Sequence, residues 1–467
     1  MNLSTDFLDE ARIHEAMRKA SDPSHPEVRD ILDKAVTEVG LTPDECAVLL
    51  MADDPEQEEQ IFEAARRVKE SIYGKRIVLF APLYLSNYCV NNCTYCGFRV
   101  SNTELERRAL DKEMIQQEVK ILLDQGHKRL LLVFGEHPDY ANIEYIRMAV
   151  KAVYDVNQGE GINIRRVNIN AAPLSVEEFA EVNTYGIGTF QSFQETYHRE
   201  TYKKVHPSGP KSDYDNRLLT MHRALEGGID DIGMGVLYGL YDHRFETLAT
   251  IMHSQELDRR YNIGPHTISV PRIEPALNAP DAVQPPAPVS DREFKRIVAA
   301  IRLTLPYTGM ILSTRENAEF RDEVIRLGIS QISAGSRTNP GGYKEAIEHD
   351  EYSEQFTIYD TRSLDEVMHS LCEMGLMPSM CTACYRIGRT GEKFMEEAKS
   401  GHIHTYCLPN AILTFREFLE DYASEETKRA GLRIIAEQMK EVDDPRILKS
   451  LLSKLEEIEQ GKRDVFF

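Results

Sequence analysis

Several features are missing from this sequence, and each absence narrows its class. No apolar run reaches the ~20 residues that a membrane-spanning helix needs, so we expect no membrane partner. Residues 1–6 lack a basic segment followed by an apolar one, so we expect no secretory signal and a cytoplasmic protein. Basic residues are outnumbered, 55 Lys and Arg against 76 Asp and Glu. The net charge of −21 argues against a nucleic-acid partner, which would need a basic face.

Cysteine is scarce as well, with eight in 467 residues. Cys46 and Cys372 lie in helical patterns, and we interpret them as buried structural residues. The other six form two groups with the spacing of metal ligands: Cys89, Cys93 and Cys96, and Cys381, Cys384 and Cys407. In a large chain without a signal sequence, such groups predict metal or redox chemistry in a reducing compartment rather than disulfide bonds.

The first group lies in one compact loop, 88–98, with C-x3-C-x2-C spacing and a Gly-Phe pair after the last cysteine. A tetrahedral zinc ion and an ordinary cubane cluster both need four ligands. Three cysteines can hold three corners of a 4Fe–4S cluster and leave one iron open to bind a small molecule and pass it an electron. The spacing resembles the signature of radical S-adenosylmethionine (SAM) enzymes, in which SAM chelates that iron. A zinc knuckle with a distant fourth ligand is the alternative.

From residue 76 onward, short apolar runs alternate with amphipathic helical patterns, which indicates a parallel sheet. The predicted strands are 77–81, 130–134, 167–170, 188–191, 232–237, 267–270, 310–313 and 329–333. The helical patterns between them lie near 112–125, 142–156, 175–183, 213–226, 243–260, 290–304 and 317–326. An alternation of about 270 residues fits a complete (β/α)8 TIM-type barrel, whose chemistry sits on loops at the carboxyl ends of the strands. The first group of cysteines follows the first strand.

The sequence thus predicts three parts: a helical lead-in over 1–74, a radical SAM barrel over 75–340, and a helical extension over 341–467 that binds a second cluster. Helical patterns in the extension cover 363–375, 413–422 and 427–462. The proline-rich stretch 274–288 interrupts the alternation after the sixth strand, because proline is incompatible with a helix interior. We interpret it as a lid over the active face.

Residues at the strand ends are candidates for binding SAM. Gly135 and Glu136 follow the second strand and resemble the family's motif for the methionyl amine of SAM. Glu195, after the fourth strand, can hold the same amine, and Arg217 can pair with the carboxylate of SAM. Gly235, on the fifth strand, lets the backbone approach a flat ring and suits adenine. Ordinary surface charges are the alternative for the charged residues.

Three further residues are candidates for the reaction itself. Arg315 ends the seventh strand, and an arginine at a barrel mouth is costly unless it meets an anion, so a substrate carboxylate is predicted there. Ser333 ends the eighth strand, at a corner that binds phosphate or carboxylate in many barrels. His266 opens the sixth strand; a lone histidine is more often a satisfied polar residue than a ligand.

The second group of cysteines has C-x2-C-x22-C spacing and again no fourth thiolate. One interpretation is a zinc site completed by His402 or His404. The other is a second cubane with one open iron. Two zinc sites would each need a fourth ligand in addition to three cysteines, and such a coincidence is hard to explain. The spacing therefore favours a second cubane cluster.

From residue 73 to the C-terminal helices, the chain resembles the tyrosine lyases of FeFe-hydrogenase maturation, the HydG family of 2-iminoacetate synthases. The matching stretches are 81–93, 193–199, 264–272 and 381–391. The barrel motifs are shared with the tyrosine lyase of thiamine biosynthesis, whereas the C-terminal triad of cysteines is the specific one and is intact here. Phe134, before Gly135 and Glu136, departs from the expected residue.

This resemblance implies an enzyme with two sites. The first 4Fe–4S cluster would reduce SAM to methionine and a 5′-deoxyadenosyl radical, which would take a hydrogen from the amino group of L-tyrosine. The Cα–Cβ bond would break, giving p-cresol and dehydroglycine. The second 4Fe–4S cluster would turn dehydroglycine into carbon monoxide and cyanide on iron. The alternatives are a lyase that stops at dehydroglycine for thiamine thiazole synthesis, and a non-catalytic iron–sulfur scaffold.

The resemblance also implies roles for individual residues. His266 would help to hold an extra iron at the second cluster, and Arg315 would bind the tyrosine carboxylate. Ser333 is predicted to be a catalytic residue. Tyr95, which lies inside the loop of the first three cysteines, is predicted to bind the cofactor. The expected partners are L-tyrosine, SAM, a one-electron donor such as ferredoxin or flavodoxin, and other hydrogenase maturation proteins.

Overall fold

Four helices precede the barrel in the computed structural model, which describes residues 3–348, 354–399 and 403–467. They are α1 (Glu10–Lys19), α2 (His25–Ala35), α3 (Pro43–Met51) and α4 (Pro55–Tyr73). Each begins after a side chain that accepts hydrogen bonds from N–H groups of the first turn, namely Asp9, Ser24, Thr42 and Asp54. The predicted helical lead-in is therefore confirmed, and α3 and α4 pack against the outside of the barrel.

Eight parallel strands close into a barrel. They are β1 (Arg76–Ser86), β2 (Arg129–Phe134), β3 (Arg166–Asn170), β4 (Phe190–Gln191), β5 (Ile232–Gly235), β6 (Thr267–Ser269), β7 (Gly309–Leu312) and β8 (Gln331–Ser333). Each strand pairs with the next, and β1 pairs with both β2 and β8, which closes the ring. The predicted (β/α)8 barrel is confirmed, strand by strand.

The helices around the barrel follow the predicted pattern. They are α5 (Lys112–Asp124), α6 (Ile143–Tyr154), α7 (Val176–Asn183), α8 (Arg199–Val205), α9 (Tyr214–Leu218), α10 (Thr220–Glu226), α11 (His243–Tyr261), α12 (Pro280–Val283), α13 (Asp291–Thr304) and α14 (Ala318–Leu327). The stretch predicted as one helix over 213–226 is two short helices, α9 and α10, and α8 was not predicted. Helix α12 contradicts the prediction of no helix in 274–288; it begins at Pro280, a first-turn position where proline is tolerated.

The C-terminal part is mostly helical but contributes one strand to the sheet. Its elements are α15 (Gly342–Glu348), α16 (Leu364–Glu373), β9 (Met377–Ser379), α17 (Ala383–Arg386), α18 (Gly391–Lys399), α19 (Ile403–Asp421), α20 (Glu425–Gln438) and α21 (Pro445–Glu459). Strand β9 was not predicted; it pairs with the first residues of β1 at the edge of the sheet. Its three residues include Pro378, which removes a backbone donor and is tolerated only at such an edge. The division into parts at residues 74 and 340 stays a prediction.

Apolar side chains fill the middle of the barrel. Phe80, Leu131 and Ile311 are buried together, with Val133 packed against them. Cys46 and Cys372 are buried within α3 and α16, as predicted for structural residues. None of the helices in the described part of the chain is long and apolar enough to span a membrane.

Candidate metal centres

The loop with the first three cysteines lies at the carboxyl end of the barrel, directly after β1. Neighbouring loops hold its backbone: the N–H of Thr94 donates to the carbonyl of Val205 at 3.0 Å, and the N–H of Asn92 donates to the carbonyl of Ser208 at 3.2 Å. The predicted lid also contacts it, since the N–H of Asp281 donates to the carbonyl of Thr94 at 3.1 Å. The loop is therefore fixed between the loop that follows α8 and the lid.

This loop forms one wall of a cavity of ≈ 1480 Å³ in the mouth of the barrel. The structure brings ten predicted site residues to the cavity wall: Cys89, Cys93, Cys96, Tyr95, Gly135, Glu136, Glu195, Arg217, Arg315 and Ser333. They come from distant parts of the sequence and meet because the carboxyl ends of parallel strands share one face of the barrel. Their placement agrees with the sequence interpretation, and their roles stay predictions.

The three sulfur atoms suit a cluster better than a single ion. Sulfurs bound to one tetrahedral zinc lie about 3.8 Å apart, as follows from Zn–S bonds of about 2.3 Å. Across the described residues, neither cysteine triad brings its three sulfurs within 4.8 Å of one another. Burial raises the pKa of Cys93 to about 12, so its thiolate requires a positive group beside it. Three separated thiols, of which Cys93 is buried and the others are partly exposed, fit a 4Fe–4S cluster with one exposed iron in an open cavity.

The residues predicted to bind the amine of SAM lie beside this loop. The amide of Asn91 donates to the Glu136 carboxylate at 2.7 Å. Glu195 forms an ion pair with Lys211 at 2.7 Å, and both side chains are largely buried. Glu195 also has a φ of +68°, a left-handed conformation that non-glycine residues seldom adopt. Both carboxylates are thus held in place in the cavity wall, and Asn91 and Lys211 were not found from the sequence.

Arg217 and Gly235 lie on either side of Phe193, another residue that the sequence did not point to. Arg217 donates from Nε to the carbonyl of Phe193 at 2.9 Å. Burial opposes its charge, yet Tyr202, Glu136 and other neighbours raise the pKa of Arg217. A Cβ on Gly235 would stand 3.1 Å from the Phe193 ring. The same Cβ would stand 2.9 Å from the carbonyl oxygen of Ser269, so the space at Gly235 is filled from two sides, and its contact with adenine stays a prediction.

The hydroxyl of Tyr95 is bound by His206, which the sequence did not single out as a site residue. That hydroxyl lies 2.8 Å from Nε2 of His206, and Nδ1 of His206 lies 2.9 Å from the carbonyl of Tyr202. Because a carbonyl only accepts, Nδ1 carries the proton, and Nε2 accepts from Tyr95. Burial lowers the pKa of His206 well below its usual value, which keeps the ring neutral in this arrangement.

Arg315 lies in the same cavity, with its guanidinium 3.4 Å from the centre of the Phe356 ring. Its hydrogen bond to the carbonyl of Arg272 is long, at 3.4 Å. Burial lowers the pKa of Arg315, and within the described ranges it forms no ion pair. A guanidinium that lacks an ion-pair partner in the described part of the chain can bind an anionic ligand.

The second triad lies at the opposite, amino end of the barrel. Cys381, Cys384 and Cys407 line a cavity of ≈ 660 Å³ together with His266. Strand β9 positions Cys381 there, because its pairing with β1 places the following residues under the barrel. His266, which precedes β6, is therefore remote from the first triad and adjacent to the second, where the resemblance had placed it, and its role as a ligand stays a prediction.

Positive charge surrounds these thiols. The hydrogen bond from Cys384 and the guanidinium of Arg76 lower the pKa of Cys407 to about 5, against the effect of burial. Arg129 donates to the carbonyl of Cys381 at 2.5 Å, and Arg389 also lines the cavity. The hydrogen bond to Cys407 and burial raise the pKa of Cys384, and burial raises that of Cys381. The arginines therefore favour the thiolate at Cys407 and suit a cluster that carries net negative charge.

His266 lies near a carboxylate and a phenol. Its Nδ1 lies 3.8 Å from Asp231, and its Nε2 lies 3.5 Å from the hydroxyl of Tyr385. Asp231 is buried and its oxygens have no hydrogen-bond donor in the described part of the chain. Of the histidines proposed for a zinc site, His402 and the side chain of His404 lie outside the described residues.

Comparison with known proteins identifies the family of this chain. The Radical SAM superfamily matches residues 83–253, and the Biotin and Thiamin Synthesis associated domain matches residues 269–377. The 2-iminoacetate synthase of Escherichia coli (strain K12) is 35% identical over 348 residues, which are 74% of this chain and 89% of that protein.

Two solved structures resemble the whole chain. A crystal structure of HydG, a maturase of the [FeFe]-hydrogenase, has a TM-score of 0.95 and 50% identity, and covers 99% of this chain and 100% of its own. HydG from Carboxydothermus hydrogenoformans has a TM-score of 0.85 and 39% identity, with 97% and 100% covered. These likenesses include the C-terminal part that carries the second triad. The chain therefore belongs to the family of radical SAM enzymes that contains 2-iminoacetate synthase and the maturase HydG.

Proposed function

We propose that this enzyme cleaves the Cα–Cβ bond of L-tyrosine to p-cresol and dehydroglycine, and converts dehydroglycine to carbon monoxide and cyanide at a second iron–sulfur cluster. The observation that carries this proposal is the pair of three-cysteine centres at opposite ends of one barrel. The names of the relatives, a 2-iminoacetate synthase and a hydrogenase maturase, support it.

The first cavity contains groups that suit both reactants. With SAM bound, the first cluster supplies the 5′-deoxyadenosyl radical. Glu136 and Glu195 would hold the amine of SAM, and Arg217 its carboxylate. Arg315 would hold the tyrosine carboxylate, because it is a buried cation without an ion pair in the described part of the chain. The cavity walls would shield the bound reactants from bulk water, since most of the lining side chains are buried.

The second cavity suits the conversion of dehydroglycine to carbon monoxide and cyanide. The dehydroglycine anion contains the atoms of carbon monoxide, cyanide and water, so its conversion moves protons but no electrons. His266, next to Cys381, Cys384 and Cys407, would hold the extra iron that receives the products. The two cavities approach each other along β8, where Ser333 lines the first and Gln331 the second. We propose that dehydroglycine crosses the barrel along this strand.

A tyrosine lyase that stops at dehydroglycine is the second candidate. It is supported by the E. coli 2-iminoacetate synthase, whose similarity covers 348 residues of this longer chain. The second cavity favours the two-step function, because this candidate has no use for a further triad of thiolates beside Arg76 and His266.

Anaerobic reconstitution with iron and sulfide, followed by reaction with SAM, tyrosine and dithionite, tests the proposal. We expect iron for two clusters, p-cresol, carbon monoxide and cyanide. A Cys381→Ser/Cys384→Ser variant should still release p-cresol but no carbon monoxide. Absence of p-cresol from the wild-type enzyme would disprove the lyase function, and carbon monoxide from the variant would disprove the role of the second centre. A scaffold protein would not cleave SAM at all.

A further inference from the structure

One side chain from outside the barrel reaches the first cysteine triad. Gln355 follows the last barrel strand, yet its Nε2 lies 3.3 Å from the sulfur of Cys96, a residue 259 positions earlier. Its Oε1 accepts a hydrogen bond from the hydroxyl of Tyr84 at 2.8 Å. Gln355 thus connects a predicted cluster ligand with a tyrosine of β1.

The backbone around Gln355 is fixed on several sides. Its N–H donates to the carbonyl of Thr338 at 3.1 Å. A Cβ on Gly97 would stand 2.6 Å from the Gln355 carbonyl oxygen, so the loop approaches this closely only because residue 97 is a glycine. Next along the chain, the Phe356 ring lies against Arg315. The amide is therefore presented to Cys96 by a fixed segment rather than by a free side chain.

The partners also determine which way the amide points. A cysteine sulfur that ligates iron carries no proton and can only accept a hydrogen bond. The NH2 group of Gln355 must then face Cys96, which leaves Oε1 for the hydroxyl of Tyr84. Tyr84 has its phenol buried, and burial raises its pKa, so the hydroxyl keeps the proton that it donates.

We propose that Gln355, oriented by Tyr84, sets the reduction potential of the first cluster through this hydrogen bond to the Cys96 sulfur. Reduction adds negative charge to the cluster and its thiolates, and an N–H donor at a sulfur stabilises that added charge. The electron comes from a one-electron donor and is gained by the cluster, while Gln355 neither gives nor takes it. Gln355 is a positioning residue, and its role rests on the radical SAM family and not on the substrate proposed above.

The test is an EPR-monitored redox titration of the reconstituted full-length protein. The signal of the first cluster is identified as the one that changes when SAM is added. Gln355→Leu removes the donor and should lower the ratio of reduced to oxidised cluster about tenfold at a fixed potential. For a one-electron couple, this corresponds to a shift of the midpoint potential by about 59 mV to more negative values. Gln158→Leu, which replaces an exposed glutamine far from the cluster, should leave the midpoint unchanged.

Tyr84→Phe provides a second, milder change. It leaves Gln355 in place but removes the group that orients the amide, so we expect a smaller shift in the same direction. An unchanged midpoint in Gln355→Leu would overturn the proposal, even if turnover falls. If Gln355→Leu assembles no cluster, the midpoint of Tyr84→Phe decides: a negative shift supports the role, and no shift overturns it. Because the titration contains no tyrosine, its outcome is separate from that of the p-cresol assay.

Discussion

Arg315 offers the most direct test of tyrosine recognition. Its guanidinium packs against Phe356, and its hydrogen bond to the carbonyl of Arg272 is 3.4 Å long. Burial already disfavours its charge, which is why its pKa is lowered. A substrate carboxylate would compensate for this unfavourable state. Replacing Arg315 should therefore weaken the binding of tyrosine and leave the binding of SAM unchanged.

The magnitude follows from the hydrogen bonds that a guanidinium makes to a carboxylate. Such a fork has two charge-assisted bonds, each contributing about 1.5–3 kcal/mol. Arg315→Lys keeps the charge and loses one bond, so kcat/KM for tyrosine should fall about 10- to 160-fold. Arg315→Met loses both bonds and should cause a fall of more than about 160-fold. Arg326→Lys, an exposed substitution on α14, serves as the control and should change neither value.

The assay compares tyrosine with tyramine, which lacks the carboxylate. Anaerobic equilibrium binding and p-cresol release are measured for both compounds with each variant. The wild-type enzyme should bind tyrosine far more tightly, and Arg315→Met should bind the two compounds alike. If Arg315→Met still prefers tyrosine as strongly as the wild-type enzyme does, another group binds the carboxylate and the reasoning is wrong.

Three further predictions concern the second centre, the core and acid stability. Cys407→Ala should abolish carbon monoxide and lower the iron content by one cluster while p-cresol release continues, as measured by gas analysis and iron assay. Asp360→Leu leaves the fully buried Arg321 without its ion-pair partner, and urea unfolding should show a loss of about 3–5 kcal/mol. Burial lowers the pKa of His222 to about 4, below its unfolded value of about 6.5, so the folded state binds fewer protons. The stability of the folded state should therefore fall as the pH drops from about 6.5 towards 4. His222→Phe should reduce that fall, as measured by the urea midpoint at each pH. An unchanged pH dependence in this variant would contradict the assignment.

Much of the architecture could be predicted because it depends on local patterns. Alternating apolar runs and amphipathic stretches predicted all eight barrel strands, since strand and helix periods are properties of short segments. The helix starts at Ser24 and Thr42 follow from side chains that bond to the next turn. Strand β9 could not be predicted, because three residues that include Pro378 show no periodicity. They form a strand only because the first residues of β1, which lie before its pairing with β2, are open to them.

The sequence by itself determined the chemistry available here: two triads of cysteines, the spacing that leaves an iron open, and the order of the strands that present the first triad. The tertiary structure decided which residues meet. It placed His206 on Tyr95 from 111 positions away and Gln355 on Cys96 from 259 positions away. The reason is physical: a ligand spacing is short and local, whereas the hydrogen bonds that orient those ligands are made by whatever the closed barrel brings beside them.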